Sequence, residues 1–512
     1  MFYSNQIYSL NYYLNIFSKP KWVLILFIYC AMFFSSYYPM NFRYDNKKFI
    51  NNAILLTGII LFVSIIYWVT FDKSTSQPQF LFSSINIYSL GLVGIDGISL
   101  FFIILTTLLI FLCIIDIWNY KINLIKSSEF IVYLLILEFF LISSFITLDL
   151  LVFYIFFESV LIPMFLIIGI WGSRERKIRA DFYFFLYTLF GSIFMLFCIF
   201  VLFFENCSTN FTILQNAFLE LDKEFLLWLL SFLAFSVKIP MFPFHIWLPE
   251  AHVEAPTAGS VILAGLLLKL GGYGYIRVVL PMFPYASFYF FPLVAIFCII
   301  SIVYTSLTTI RQVDLKRIIA YSSVAHMNVV LLGLFSCNIN GLQGAIFLML
   351  AHGIVSGALF FMIGNLYKRH GTRLLYYYGG LVSQMPLFSG YFFVFCLANI
   401  GTPITCNFIG ELMVFVSLID KNFFILLLSA TSVVLSVVYT MWFFNRIIFG
   451  NLKTNYIKYW SDIDKKENFI YLILIILTFL FGIYPNLLLD FTFSSVNYTT
   501  ELMKFKILSS TI

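Results

Sequence analysis

The chain has 512 residues, of which 62% are apolar and only 11% charged, with a net charge of +6 and a mean hydropathy of +0.97. Soluble domains carry about a quarter charged residues, so too few polar side chains exist here to coat a water-soluble enzyme, and disordered and fibrous classes fall with it. A polytopic membrane protein remains, with room for roughly 12 to 15 helices at about 20 apolar residues per span.

Hydropathy predicts fourteen spans in chain order. They lie near 22–40, 52–71, 97–118, 129–148, 150–171, 179–204, 224–248, 255–279, 286–308, 317–336, 341–366, 385–419, 422–449 and 468–489. The loops check this count. Those after odd-numbered spans hold twenty Lys and Arg, among them Arg43, Lys121, the RERKIR run 174–179, Lys316, Arg317, Lys368, Arg369, Arg373 and Arg446. Connections after even-numbered spans hold four: Lys73, Lys223, Arg277 and Lys421. The bias is what alternating spans require, with basic loops facing the compartment of synthesis and both termini the opposite side.

The longest polar stretches, 72–96, 205–224 and 450–467, are too short for a nucleotide or flavin domain. The Gly91, Gly94, Gly97 run lacks the strand–turn–helix setting of a dinucleotide site. Close helix packing accounts for Gly271, Gly272, Gly274 and for the Gly353/Gly357 pair. The eight cysteines are scattered without a CxxC, which argues for packing rather than a metal or iron–sulfur site. The first twenty residues hold no Arg and no small-residue cleavage site, so no cleavable leader is expected. An abundance of Phe (64) and Tyr (32) beside few Ala points to AT-rich codons, as in an organelle genome.

An ionisable group at bilayer depth costs at least about 2.5–3.5 kcal/mol on insertion scales, so each such group needs a reason. Glu138, Glu158, Lys238, Lys269 and Glu411 fall well inside predicted spans, and His326 and His352 join them. Seven titratable residues at depth read as a proton or ion path, against buried ion pairs that only pin helices together. Lys238 precedes Pro240 and Pro243 in KIPMFPFHIWLPEAH, so the helix of span 7 should break there. Glu411 follows Pro403 in NIGTPITCNFIGEL, where Gly401 and Gly410 also loosen span 12. Two interrupted spans, each with a charge and five spans apart, match duplicated transporter halves. Desolvation disfavours a charged side chain and a nearby opposite charge restores it, so an intramembrane Glu–Lys pair acts as a switch. Glu158 is the expected partner of Lys238. Lys269 and His326 are expected to relay the proton laterally, with His352 and Glu411 leading outward. His245 and His252 in the turn after span 7, near Glu250 and Glu254, are candidates for a funnel at the mouth. Asp96 and Asp149 are expected at the interface.

These residues form a recognisable set. The run FSVKIPMFPFHIWLPEAHVEAPTAGSVILAGLLLKLGGYGYIR (235–277) resembles the core signature of the antiporter-like membrane subunits of respiratory complex I. DLKRIIAYSSVAHMN (314–328), DGISL (96–100) and FFESVLIPMF (156–165) resemble it too. The resemblance covers spans 3 to 13 and implies an all-α polytopic membrane protein of about 14 transmembrane helices. Two inverted five-helix repeats, spans 4 to 8 and 9 to 13, would carry broken helices in spans 7 and 12. It further implies that Glu158, Lys238, Lys269 and Glu411 form the central proton path, with His326, His352 and Glu138 as relays. Sister subunits, and cation/proton antiporter relatives, usually place lysine where Glu411 stands, which narrows the choice among sisters.

Three parts are expected: residues 1–96 as an N-terminal extension with two spans, 97–449 as the translocating core, and 450–512 as a loop, last span and tail. By the resemblance no cofactor is bound by this chain, and NADH, FMN, iron–sulfur clusters and ubiquinone belong to partner subunits. The implied partners are other membrane-arm subunits, above all neighbouring antiporter-like ones, and membrane lipids, cardiolipin included, with a respiratory supercomplex as a further setting and no nucleic acid. The implied place is the mitochondrial inner membrane, with basic loops toward the matrix. The competing readings are a sodium/proton antiporter subunit of the same fold and a membrane scaffold in which the buried charges are dispensable.

Overall fold

Inside a bilayer, backbone donors and acceptors find partners only within the protein, so long apolar runs become helices. The computed structural model describes residues 46–83, 92–117, 124–457 and 460–510; the expected first span at 22–40, Cys30, Arg43 and Lys121 lie outside these. Helix α1 (Asn46–Thr70) leads to a two-stranded antiparallel sheet, β1 (Gln79–Ser83) and β2 (Leu92–Ile95), with Gln79 opposite Ile95. There follow α2 (Gly97–Ile117), α3 (Leu124–Ile146), and α4 (Leu150–Ser159) continued by α5 (Leu161–Trp171). Next come α6 (Lys177–Asn206), the short α7 (Phe211–Asn216), α8 (Leu221–Lys238) and α9 (Trp247–Glu254). Helix α10 spans Thr257–Met282 and contains two π turns, Leu263–Leu267 and Tyr275–Val279. The short α11 (Pro284–Tyr289) precedes α12 (Phe291–Arg311), α13 (Leu315–Phe335) and α14 (Ile339–His370). The chain closes with α15 (Pro386–Ile400), α16 (Cys406–Ile419), α17 (Phe423–Ile448), α18 (Lys465–Ile483) and α19 (Asn486–Ser510).

Among the described residues eleven helices are long and apolar enough to cross a membrane. The two interrupted spans appear in pieces, as α8 with α9 and as α15 with α16. Helices α10 and α14 are buried along their whole apolar lengths, and α13 and α2 nearly so. Helices α1, α6, α17 and α18 ring them and present apolar side chains outward, such as Phe204, Val434 and Ile476. An outer face of this kind is a lipid face, since in water it would be an aggregation surface. Of the seven potentially charged side chains at depth, all but the partly buried Glu158 are buried within the helices.

The C-terminus departs from expectation. Hydropathy carries the last span to 489 before a tail, but α18 ends at Ile483 and Pro485 starts a separate 25-residue helix. A proline lacks the amide donor that would continue α18, yet its fixed φ suits the first turn of a new helix. Helix α19 packs back across α2 and α14 and against α11, and its buried Lys506 donates to the Pro281 carbonyl at 3.2 Å.

Candidate functional site

Helix α8 stops at Lys238 because Pro240 and Pro243 supply no amide hydrogen, which leaves backbone groups unpaired at membrane depth. Four of the backbone groups at the break have a local or side-chain partner. The Trp247 indole donates to the Val237 carbonyl at 2.9 Å, the Asn328 amide to the Pro240 carbonyl at 3.3 Å, and the Met241 amide to the Ser236 carbonyl at 3.2 Å. Ser301 accepts from the Phe242 amide at 2.8 Å. The break falls at the prolines and is braced by these four bonds.

Lys238 is 3% exposed, and its Nζ lies 4.4 Å from the centre of the Phe157 ring. Glu158 follows on the same helix as that ring, and the two charged groups interact electrostatically without a direct ion pair among the described residues. A π face stabilises a desolvated ammonium, so Lys238 is seated against the ring rather than clasped in an ion pair. Glu138 on α3 is fully buried and both its carboxyl oxygens lack a partner among the described residues. Such a carboxyl needs a proton or a water to be tolerated.

The second half of the site depends on close helix approach. A Cβ on Gly353 of α14 would stand 2.8 Å from Leu105 and 3.2 Å from the Gly265 carbonyl oxygen, so only glycine lets α14 lie against the first π turn of α10. Within that turn the Ala264 carbonyl accepts from Lys269 Nζ at 2.5 Å. The next residue of α14 before Gly353 is His352, and its Nδ1 lies 2.9 Å from Lys269 Nζ. Its ring centre is 5.7 Å from that of His326 on α13. His326 Nδ1 in turn lies 3.1 Å from Glu411 Oε1 on α16. The spatial order is thus Lys269, His352, His326, Glu411, which places the two histidines the other way round from the expected relay. Helical rotation decides this, because α13 and α14 both pack on α16 but only His326 faces Glu411.

Span 12 breaks where expected, at residues 401–405 between α15 and α16. Gly401 has φ +79°, and a Cβ there would stand 2.9 Å from Glu411 Oε2. The break therefore brings bare backbone against the carboxylate. Gly401→Ala should cost about 1–2 kcal/mol from backbone strain alone and displace Glu411 from His326. The expected result is a lower level of assembled protein on native gels and slower turnover in what assembles; an unchanged variant would mean that the break does not position Glu411.

At the basic end several expectations need correction. Lys316 and Arg373, expected as exposed topology markers, are only 3% and 1% exposed. Their acceptors lie on α9 and the turn into α10: Lys316 donates to the Ala255 carbonyl at 2.8 Å, and Arg373 pairs with Glu254 at 2.7 Å. Arg317 pairs with Glu250 at 2.5 Å, and Lys368 with Asp116 at 2.6 Å. Arg373 and Lys368 point inward to the buried carboxylates of Glu254 and Asp116, Lys316 to a backbone carbonyl, and the Arg317–Glu250 pair stays part-exposed. The RERKIR run does keep exposed Arg174 and Arg176. His252, expected in a turn, lies on α9, fully buried and stacked 4.8 Å over Phe360, with both ring nitrogens unpartnered among the described residues. His245 is 4% exposed among Phe242, Tyr304 and Tyr321. Asp96, expected at the interface, is buried and ion-paired with Arg277. Asp149 caps α4 through the Leu151 amide at 3.0 Å. No group of three metal-ligating side chains converges among the described residues.

A family profile described as NADH:quinone oxidoreductase/Mrp antiporter, transmembrane, matches residues 147–438. The NADH-ubiquinone oxidoreductase chain 4 of Marchantia polymorpha is 50% identical over 466 residues, covering 90% of this chain and 93% of the relative. That of Arabidopsis thaliana is 50% identical over 459 residues, 88% and 92% of the two chains. The chain belongs to the NADH-ubiquinone oxidoreductase chain 4 family. A chain of respiratory complex I from Thermus thermophilus with bound NADH superposes with a TM-score of 0.83 at 25% identity, covering 94% of this chain and 99% of that one. A chain of the membrane-bound sulfane sulfur reductase, an archaeal respiratory membrane complex, shares the fold with a TM-score of 0.82 at 19% identity, over 94% and 99%.

Within this chain 4 fold, three further residues contact the site that the sequence reading does not single out, although Asn328 closes the 314–328 run. Asn328 and Ser301 hold the break of span 7. Tyr439 on α17 is 1% exposed, its hydroxyl is unpartnered among the described residues, and it interacts electrostatically with Glu411. A polar residue in an apolar run is their only signal. Asn328, two residues beyond His326 in AHMN, carries it most plainly.

Proposed function

We propose that this chain is a proton-translocating core membrane subunit of NADH:ubiquinone oxidoreductase, complex I, moving protons across the inner mitochondrial membrane. Electron transfer from NADH to ubiquinone is carried out in other subunits, which hold NADH, FMN, the iron–sulfur clusters and ubiquinone. The observation that carries this reading is the buried pair of hydrogen-bonded contacts, Lys269 to His352 and His326 to Glu411, at the centre of a chain 4 fold. Scaffolds have no use for adjoining titratable groups at bilayer depth, whereas proton transfer needs them within hydrogen-bond reach.

Each contact passes one proton between two atoms: Lys269 Nζ and His352 Nδ1, then His326 Nδ1 and Glu411 Oε1. The step between the two rings goes through water, since no direct hydrogen bond joins them among the described residues. Lys238 holds its proton when Glu158 is close and gives it up when that charge is drawn away. Glu138, His245 and His252 bring protons to these groups from either side. Residues 97–449 form the working core, and spans 4 to 8 and 9 to 13 are inverted repeats of each other. The basic loops face the matrix and both termini the intermembrane space. Neighbouring antiporter-like subunits flank the chain, and the exposed arginines at 174–179 meet lipid headgroups, cardiolipin among them.

The alternative, a sodium/proton antiporter subunit, shares the fold and the family profile but has Glu411 against it. Purification of the native membrane complex separates the two. Co-migration of this chain with NADH dehydrogenase activity is expected; its migration apart from that activity would sink the complex I reading.

A further inference from the structure

Helix α13 touches both halves of the site, and it does so with opposite sides. His326 and Asn328 are two residues apart, about 200° around the helix axis. His326 meets Glu411 and His352, whereas Asn328 reaches the broken end of α8. The Asn328 side chain is fully buried, and its two amide hydrogens are divided between two elements. One goes to Val324 of its own helix at 2.8 Å and the other to Pro240 at 3.3 Å, two residues past Lys238. That carbonyl is one the broken helix leaves open, and water in a membrane interior cannot be counted on to fill it. The remaining Asn328 atom, Oδ1, has no donor among the described residues and needs a water.

We propose that Asn328 is a positioning residue for proton transfer, locking the broken helix end that carries Lys238 to the helix that carries His326. This rests on the proton-pumping function above. Between Lys238 and the Lys269–Glu411 series no side-chain hydrogen bond runs directly among the described residues, so a mechanical tie is what relates them. Glycines supply the remaining closeness: a Cβ on Gly271 of α10 would stand 3.1 Å from the Lys238 Cβ. When Lys238 changes charge and the end of α8 shifts, the Pro240–Asn328 bond carries the shift into α13. His326 then moves relative to Glu411.

The test uses whole complex I carrying the variant chain, in proteoliposomes, with NADH oxidation, protons pumped per electron and the pH–rate profile as readouts. Asn328→Thr keeps a hydroxyl able to bond back to Val324 but too short to reach Pro240. It should assemble, slow turnover about fivefold, as the loss of one net hydrogen bond implies, lower pumping per electron and displace the pH profile. Asn328→Gln restores an amide donor and should recover most of each readout. Unchanged pumping and pH profile in Asn328→Thr, equal losses in the two variants, or failure of both to assemble would overturn the proposal and leave Asn328 as helix packing. A normal Asn328→Thr complex beside an impaired Lys238→Arg complex defeats this proposal alone; normal behaviour in both also removes Lys238 from the proton path on which it rests.

Discussion

Lys238→Arg should give complex I that assembles and still oxidises NADH but translocates protons poorly through this chain. Arginine keeps the positive charge and its cation–π contact with Phe157, and it stays protonated in a protein. The site is 3% exposed, so no bulk water substitutes for the missing proton donor. Removing a positioned acid–base group costs on the order of 10²-fold or more in a proton-transfer step, and the reading is protons per electron in proteoliposomes. The seat of Lys238, against a ring rather than clasped by Glu158, is what makes release feasible. A clasped ion pair at this depth would resist separation. Unchanged protons per electron would remove Lys238 as the switch.

Glu411→Gln should also leave assembly intact while abolishing transfer beyond His326. The amide fills the same volume and can still hydrogen-bond His326 Nδ1, so the packing of α13, α14 and α16 is preserved. It cannot take up or release a proton. The loss should match Lys238→Arg in size and should not be deepened by adding that mutation, because both block one series. Normal coupling in Glu411→Gln would end the series at His326. Gly401→Ala perturbs the same carboxylate through backbone strain, so it should lower assembly, which Glu411→Gln should not.

Both broken spans are legible in the sequence, because proline acts locally: it lacks a donor and excludes the preceding turn wherever it falls. Helices α8 and α15 end at Lys238 and Ile400, within three residues of Pro240 and Pro403. The seven titratable residues at depth are equally legible, since depth follows from position within an apolar run. All seven lie in or beside buried helices, although Glu158 is only partly buried. Less legible is which charges are surface markers. Hydropathy assigns Lys316, Arg373 and Asp96 to edges and loops, and each is buried against a partner far along the chain. His252 belongs with them: its helix, α9, is eight residues long and carries Pro249 in its first turn, so it does not announce itself.

Membrane class, the order of the spans and the scarcity of charge at their centres were determined by the sequence by itself. Each is a property of a short window, and the cost of burying a charge does not depend on which helix lies opposite. Partnership was decided only by the tertiary structure. Lys269 and His352 are 83 residues apart, and His326 and Glu411 are 85 apart. What joins them is the rotation and close crossing of helices, set by glycines such as Gly265 and Gly353 and by a π turn that no local pattern foretells. An 11% share of charged residues excludes a soluble protein; the packing of α10, α13, α14 and α16 turns four side chains into two hydrogen-bonded pairs.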